Sequence, residues 1–271
     1  MFAFVLFALR CLCTEHLFMQ ESSLLTPYVD GVGNFANWNA FGESVVKIYG
    51  KNTFVQLGFS SPDSSGAIVS SQPIKHDRFC IDFVIEIANE ENNGNDGEEG
   101  MSIWMSGDNA FEEGACYGRS CSFNGILIAI KPSGKSYIGV KAGDVYANTQ
   151  NADKSFDKVI YRDFVPGDAF VVRIEQDDQL IVYIGESNNL VPVHSYKAFA
   201  SKKDNFIGVS AYTGKYSPSM RIISIESYKL KNFKRLIRDE SQRGGSLVWI
   251  LFFVVICVTG YYLYSIQIKK K

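Results

Sequence analysis

Phe79, Ile81, Phe83, Ile85 and Ile87 alternate with Cys80, Asp82, Val84 and Glu86 across nine residues of this chain. A period of two is the mark of a β-strand that turns one whole face to a core. No other feature restricts the fold as much, because a strand with five large apolar side chains on one side needs an apolar partner surface of similar size. Further runs rich in β-branched and aromatic residues recur along the chain: Thr53–Leu57, Gly66–Ser71, Met101–Met105, Gly125–Ile130 and Ser136–Val140. Phe170–Glu175, Leu180–Ile184, Phe206–Ala211 and Met220–Tyr228 complete the set. Gln176, Asp177, Asp178 and Gln179 form a polar hairpin turn between two of them. No amphipathic helix of ten residues interrupts the pattern, and there is no repeat. The expectation is an all-β, antiparallel two-sheet sandwich.

The ends differ from the body. Phe2–Leu9 is an unbroken apolar run, too short to span a bilayer but suited to the centre of a secretory signal. Cys11 and Cys13 stand in the −3/−1 relation, so residues 1–13 read as a signal peptide; a buried N-terminal strand is the competing reading. Leu247–Tyr264 runs eighteen residues without a charge and is apolar on every face, with Tyr261, Tyr262 and Tyr264 gathered at one end. At roughly 1.5 Å per residue it spans about 27 Å, enough for a thin bilayer. Residues 247–264 are therefore expected to be a transmembrane helix, 233–246 a short basic linker and 265–271 a basic tail. Charge bias alone would put the main domain in the cytosol, because six basic residues precede the anchor and three follow it. A cleaved signal overrides that bias, giving a type I arrangement with the tail cytosolic.

Composition excludes several classes. A net charge of −2 gives no general attraction to nucleic acid. Catalytic patterns are missing too. Asp82 and Glu86 share a strand face, but four residues of strand put them about 13 Å apart, too far for a retaining glycosidase pair. Three His, none beside a cysteine pair, argue against zinc. Cys116 and Cys121, in a Gly/Ser-containing loop, are spaced for a local disulfide in an oxidising compartment. Cys80 reads as a buried structural thiol and Cys257 falls in the anchor. The acidic stretch 90–99 reads as a solvated loop.

The order of motifs carries more. Trp38-Asn39-Ala40-Phe41-Gly42, Gly66-Ala67-Ile68 and Gly97-Glu98-Glu99-Gly100-Met101-Ser102-Ile103-Trp104 are followed by Phe123-Asn124-Gly125-Ile126, Arg162-Asp163-Phe164 and Gly208–Gly214. Over roughly residues 24–232 this resembles the L-type (leguminous-type) lectin domain of early-secretory-pathway cargo receptors, including the ER–Golgi intermediate compartment lectin and its fungal relatives. The resemblance implies a concanavalin-like jelly roll that binds high-mannose glycans on glycoprotein cargo. It places Glu99 and Gly100 at the sugar, with Glu99 standing where relatives carry Asp, and adds the turn Gly214, Lys215 and Tyr216 as a wall. Relatives also orient an Asn and a His through an acidic calcium site. Here Lys131 and Lys135 stand where Asp and Asn are expected, and Thr149 and Ala152 where His and Asp are. Ammonium groups repel a divalent ion, so no metal or other cofactor is expected.

Two further readings remain open beside the cargo receptor. One is a degenerate lectin fold that serves as a protein-interaction subunit. The other is a glycan-processing enzyme, disfavoured by the absent carboxylate pair. The basic linker lacks an apolar heptad run, so a monomer or weak oligomer is expected. Lys269, Lys270 and Lys271 resemble the lysine signals that coat proteins read on relatives in the early secretory pathway; helix anchoring by snorkelling is the plainer reading. Replacing all three with Ser in the full chain is expected to shift its steady-state distribution away from ER–Golgi membranes. An unchanged distribution, scored by imaging a tag on the N-terminal domain, would show that these lysines are not the address.

Overall fold

The computed structural model describes residues 16–50, 52–58, 63–87, 99–197, 204–214 and 220–230. The expected signal, most of the acidic loop, Lys215 and Tyr216, the linker, the 247–264 anchor and the lysine tail lie outside them. No helix among the described residues is long and apolar enough to cross a membrane.

Fifteen strands are described. In chain order the first eight are β1 (Leu17–Phe18), β2 (Trp38–Gly42), β3 (Ser44–Tyr49), β4 (Asn52–Leu57), β5 (Ser65–Ser70), β6 (Phe79–Ile87), β7 (Gly100–Ser106) and β8 (Ser122–Lys131). After β9 (Tyr137–Tyr146) comes a single short helix, α1 (Ala152–Ser155), and then β10 (Lys158–Tyr161). The last five are β11 (Ala169–Gln176), β12 (Leu180–Glu186), β13 (Asn189–Tyr196), β14 (Phe206–Tyr212) and β15 (Met220–Lys229). One antiparallel sheet runs β13-β12-β11-β6-β15-β4-β3, with β1 on β15; the other runs β10-β9-β8-β7-β14-β5-β2. This is the all-β two-sheet sandwich that the alternating pattern implies.

The alternation in β6 explains why two sheets meet. Phe79, Ile81, Phe83 and Ile85 are wholly buried and face Ile103, Ile128, Val209 and their neighbours in one continuous core. Burying such a side chain contributes about 1.5–3 kcal/mol each before entropy is counted. On the outer face of β6, Asp82 takes two bonds from the Arg173 guanidinium of β11, at 2.6 and 2.7 Å, and Glu86 takes one from Arg221 of β15 at 2.7 Å. Register makes these pairs: Asp82 lies opposite Arg173, and Glu86 opposite Arg221. Both carboxylates therefore hold neighbouring strands together. Cys80, also buried, is a free thiol whose pKa burial pushes up to about 12.

Each of the ten expected strand runs became a strand, while the two-residue β1 and the four longer strands β2, β3, β10 and β13 are additions. All four are the outermost strands of their sheets. An outermost strand buries little, so its sequence shows weak alternation. Pro192 in β13 would also argue against a strand, but it is tolerated because only one side of an edge is bonded, and β13 shifts register beside it. Two boundaries also move. Gln176 still pairs with Leu180, so the hairpin turn is Asp177–Gln179. The packed domain starts before residue 24: β1 pairs with β15, and the Met19 N–H donates to the Ser227 carbonyl at 2.8 Å.

Gly208 of β14 lies beneath the Trp104 indole of β7, and a Cβ there would come 1.9 Å from the ring. Trp104 is wholly buried, so it has nowhere to retreat. Gly208→Ala is expected to lower unfolding free energy by about 1–3 kcal/mol through overpacking. A urea midpoint equal to that of the parent chain would contradict this packing.

Candidate functional site

The seven-stranded sheet is covered on its outer face, and the candidate site sits at one end of that cover. Trp104 (β7), Leu127 and Ala129 (β8), Tyr137 and Val145 (β9) and Val69 (β5) project outward into a second apolar cluster. Two connections roof it. One is the β7–β8 connection, pinned by a disulfide between Cys116 and Cys121 with Cα atoms 5.1 Å apart. The other follows β9 and brings Phe156 over Gly139, where any Cβ would strike the ring. The two are joined by the Ala147 N–H, which donates to the Cys121 carbonyl at 3.2 Å.

The first roof is a miniature hairpin. The Cys116 N–H donates to the Arg119 carbonyl at 2.8 Å, and the Arg119 N–H donates back at 3.3 Å. Tyr117 and Gly118 between them have φ of 51° and 84°. Positive φ at both central positions defines the tightest hairpin turn, and only the second of them is an easy glycine position. Gly118 also needs its missing side chain, since a Cβ would lie 2.8 Å from the Ala211 carbonyl. The Ser102 hydroxyl fastens the turn from below by donating to the Cys116 carbonyl at 2.6 Å.

This turn sends two side chains into the sheet. Arg119 inserts its guanidinium between aromatic rings, 3.4 Å from the Trp104 centroid and 4.1 Å from that of Phe123. It is 4% exposed. Burial lowers its pKa to about 10, while Asp108 and Glu112 act in the opposite direction. The cation is thus held by ring faces and neighbouring acids. Tyr117 lies flat over Gly100, where a Cβ would come 2.5 Å from its ring. Its hydroxyl is 3.1 Å from that of Tyr137, which donates to the Thr149 carbonyl at 2.9 Å. Burial pushes both phenols up, Tyr137 to about 12.

Sheet register gathers several of the expected site residues. Gly100 pairs with Tyr212 of β14, so Glu99 and Gly214 extend from the same end of adjacent strands. Gly214 is buried, and Thr213 before it is tied to Ser64 by backbone and hydroxyl bonds of 2.9–3.1 Å. On the other side Met101 pairs with Ile130, which brings Lys131 and the turn containing Lys135 to that end too. Thr149 arrives through Tyr137. Glu99 itself is wholly buried beside Tyr117, and its charge helps raise that phenol's pKa. A carboxylate fully open to solvent is not what the structure presents. Lys215 and Tyr216 lie outside the described residues.

The loops that the sequence resemblance assigned to calcium hold a different chemistry. Lys135 places its Nζ 3.5 Å from Asp153 Oδ2 and 4.0 Å from the centroid of the Tyr161 ring. The Tyr161 hydroxyl donates to Asp153 Oδ1 at 2.6 Å. That bond first, and the ammonium second, lower the Asp153 pKa. The Asn148 side chain is engaged in accepting the Gln150 N–H at 2.9 Å. The carboxylate sought at Ala152 stands one residue further on, and it faces an ammonium. A hard divalent ion gathers six or more oxygens, several of them carboxylates. One acid opposed by Lys135 does not fit that requirement, and among the described residues no group of three or more His, Cys, Asp or Glu could hold a metal.

Tyr117, Arg119, Tyr137, Asp153 and Tyr161 were not legible as site residues in the sequence. The only hint was Gly118 following Tyr117 within a closely spaced cysteine pair.

No curated protein sequence matches the chain significantly. Among solved structures, the mannobiose- and calcium-bound exoplasmic/lumenal domain of VIP36 superposes with a TM-score of 0.68 at 18% identity, covering 79% of this chain and 90% of that one. The metal-free form of the same domain gives 0.67 at 18% identity, over 79% and 94%. The carbohydrate recognition domain of Emp47p gives 0.63 at 14% identity, over 79% and 97%. At such identities these likenesses establish the fold. The sequence pattern of the Legume-like lectin family matches residues 15–235, most of the chain. With the sandwich and its covered sheet face, that match makes this chain a member of the legume-like lectin family.

Proposed function

We propose that this protein is a single-pass type I membrane receptor that binds high-mannose glycans on glycoprotein cargo between ER and Golgi. Residues 247–264 are its anchor, and Lys269–Lys271 offer the cytosolic face a signal that coat proteins could read. Binding, not catalysis, is its task, and no calcium takes part. The observation that carries the reading is the convergence of Glu99, Gly100 and Gly214 at one end of the seven-stranded sheet, in a fold shared with a VIP36 domain solved with mannose ligands.

Glu99 supplies the acceptor, reached when the Tyr117 ring that covers Gly100 swings aside. Tyr216, which follows Gly214 closely in sequence, supplies an aromatic face and Lys215 a further donor. A carboxylate bond to a sugar hydroxyl is charge-assisted, and its loss costs about 1.5–3 kcal/mol. Glu99→Gln in the full chain is therefore expected to weaken mannobiose binding about 10- to 150-fold, measured by calorimetry on a variant that circular dichroism shows to be folded. Parent-like affinity in the folded variant removes Glu99 from the site.

One observation favours a second reading. Glu99 is wholly buried and Tyr117 covers Gly100. If this cover stays shut, the fold serves as a protein-interaction subunit without sugar binding. Absence of any saturable signal for the parent chain on a glycan array spanning mannose oligosaccharides decides for that reading.

A further inference from the structure

The loops at the candidate sugar end need something to hold them together. Three segments meet there: the β8–β9 turn containing Lys135, the turn Thr149–Asn151 with α1 behind it, and β10, which carries Tyr161. β10 pairs with β9, Tyr161 lying opposite Tyr137, but the Thr149–Asn151 turn and α1 belong to no sheet. Side chains tie them to the other two segments. Asp153 of α1 receives the Tyr161 hydroxyl at 2.6 Å, and Lys135 Nζ reaches both Asp153, at 3.5 Å, and the Tyr161 ring face, at 4.0 Å. Tyr161 in turn meets Tyr137 edge-on, with centroids 6.5 Å apart, and Tyr137 bonds to Tyr117 and Thr149. A continuous set of contacts thus leads from Lys135 to the ring that covers Gly100.

We propose that Lys135 is a positioning residue that acts as a built-in cation, its ammonium tying the β8–β9 turn to Asp153 and Tyr161 and so holding the Thr149 loop without a metal. The inference rests on the lectin reading of the site. A tethered ammonium differs from a divalent ion in three respects that matter here. It needs one carboxylate and one ring face, whereas an ion such as calcium needs six or more oxygens. It arrives with the fold, so no solution concentration governs it. It also repels a second cation from the same carboxylate.

The strength of the tie is modest, because the side chains of Lys135 and Asp153 are 70% and 61% exposed. Exposed pairs add only a small increment, so removal should loosen the loop without unfolding the domain. This separation of local from global effect makes the proposal testable.

Hydrogen exchange of the full chain in detergent micelles, followed by mass spectrometry, provides the readout. In Lys135→Met, amides of residues 147–156 are expected to exchange about 2–5 times faster than in the parent. Peptides from β6 and β7 should keep parent rates, and Lys135→Arg should restore the loop. Adding 1 mM calcium to the parent should leave loop exchange unchanged, as should adding a chelator. Identical loop exchange in Lys135→Met and parent would overturn the proposal. So would calcium-dependent slowing of the loop in the parent chain, since the ammonium would then not stand in for an ion. No sugar enters these measurements, so a failure of mannobiose binding in the Glu99 experiment leaves their outcome independent.

Discussion

All seven residues of β7 are buried, so this strand needs an apolar layer on each of its two faces. Met101, Ile103 and Met105 face the other sheet and complete the sandwich core. Ser102 and Trp104 face outward, and in a simple sandwich they would meet solvent. Covering an outward Trp104 requires a second apolar layer, which the β7–β8 connection provides. The cover in turn reaches the strand ends, where Tyr117 lies over Gly100 and Glu99 is wholly buried. Core packing and the candidate site therefore share one strand.

The means of fastening this cover are mixed. A disulfide shortens the β7–β8 connection, and a turn with two left-handed residues aims Tyr117 and Arg119 inward. Arg119 sits between two rings and is nearly without solvent. Desolvating a guanidinium is expensive unless something replaces its water, and here ring faces and the nearby Asp108 and Glu112 do so. The planar, delocalised cation suits that slot in a way that a lysine ammonium would not. The second roof is fastened by tyrosine hydroxyls and by the exposed Lys135–Asp153–Tyr161 set.

The back of the sandwich follows simpler rules. Its charged residues pair across strands by register, Asp82 with Arg173 and Glu86 with Arg221, and both acids are occupied in holding the sheet. That arrangement agrees with the distance argument against a glycosidase pair. It also shows how one strand can be read in full from its sequence: five apolar residues point one way, and each polar neighbour on the other face has a partner set by pairing.

Residue order was enough to specify the strands that lie within the sheets, because a period of two is a local property and buried positions demand apolar side chains. It determined the sandwich as well, since strands with one fully apolar face have to cover one another. It did not show the edge strands, whose partial exposure weakens the alternation, as in β13 with its Pro192. Residues Glu99, Gly100 and Gly214 could be singled out from the chain, yet their approach depends on the pairing of β7 with β14, a long-range register. Tertiary structure alone buried Glu99, turned Tyr117 over Gly100 and set Lys135 against Asp153. Those outcomes join residues far apart in sequence through side-chain packing, and no local pattern of hydrophobicity or spacing encodes such contacts.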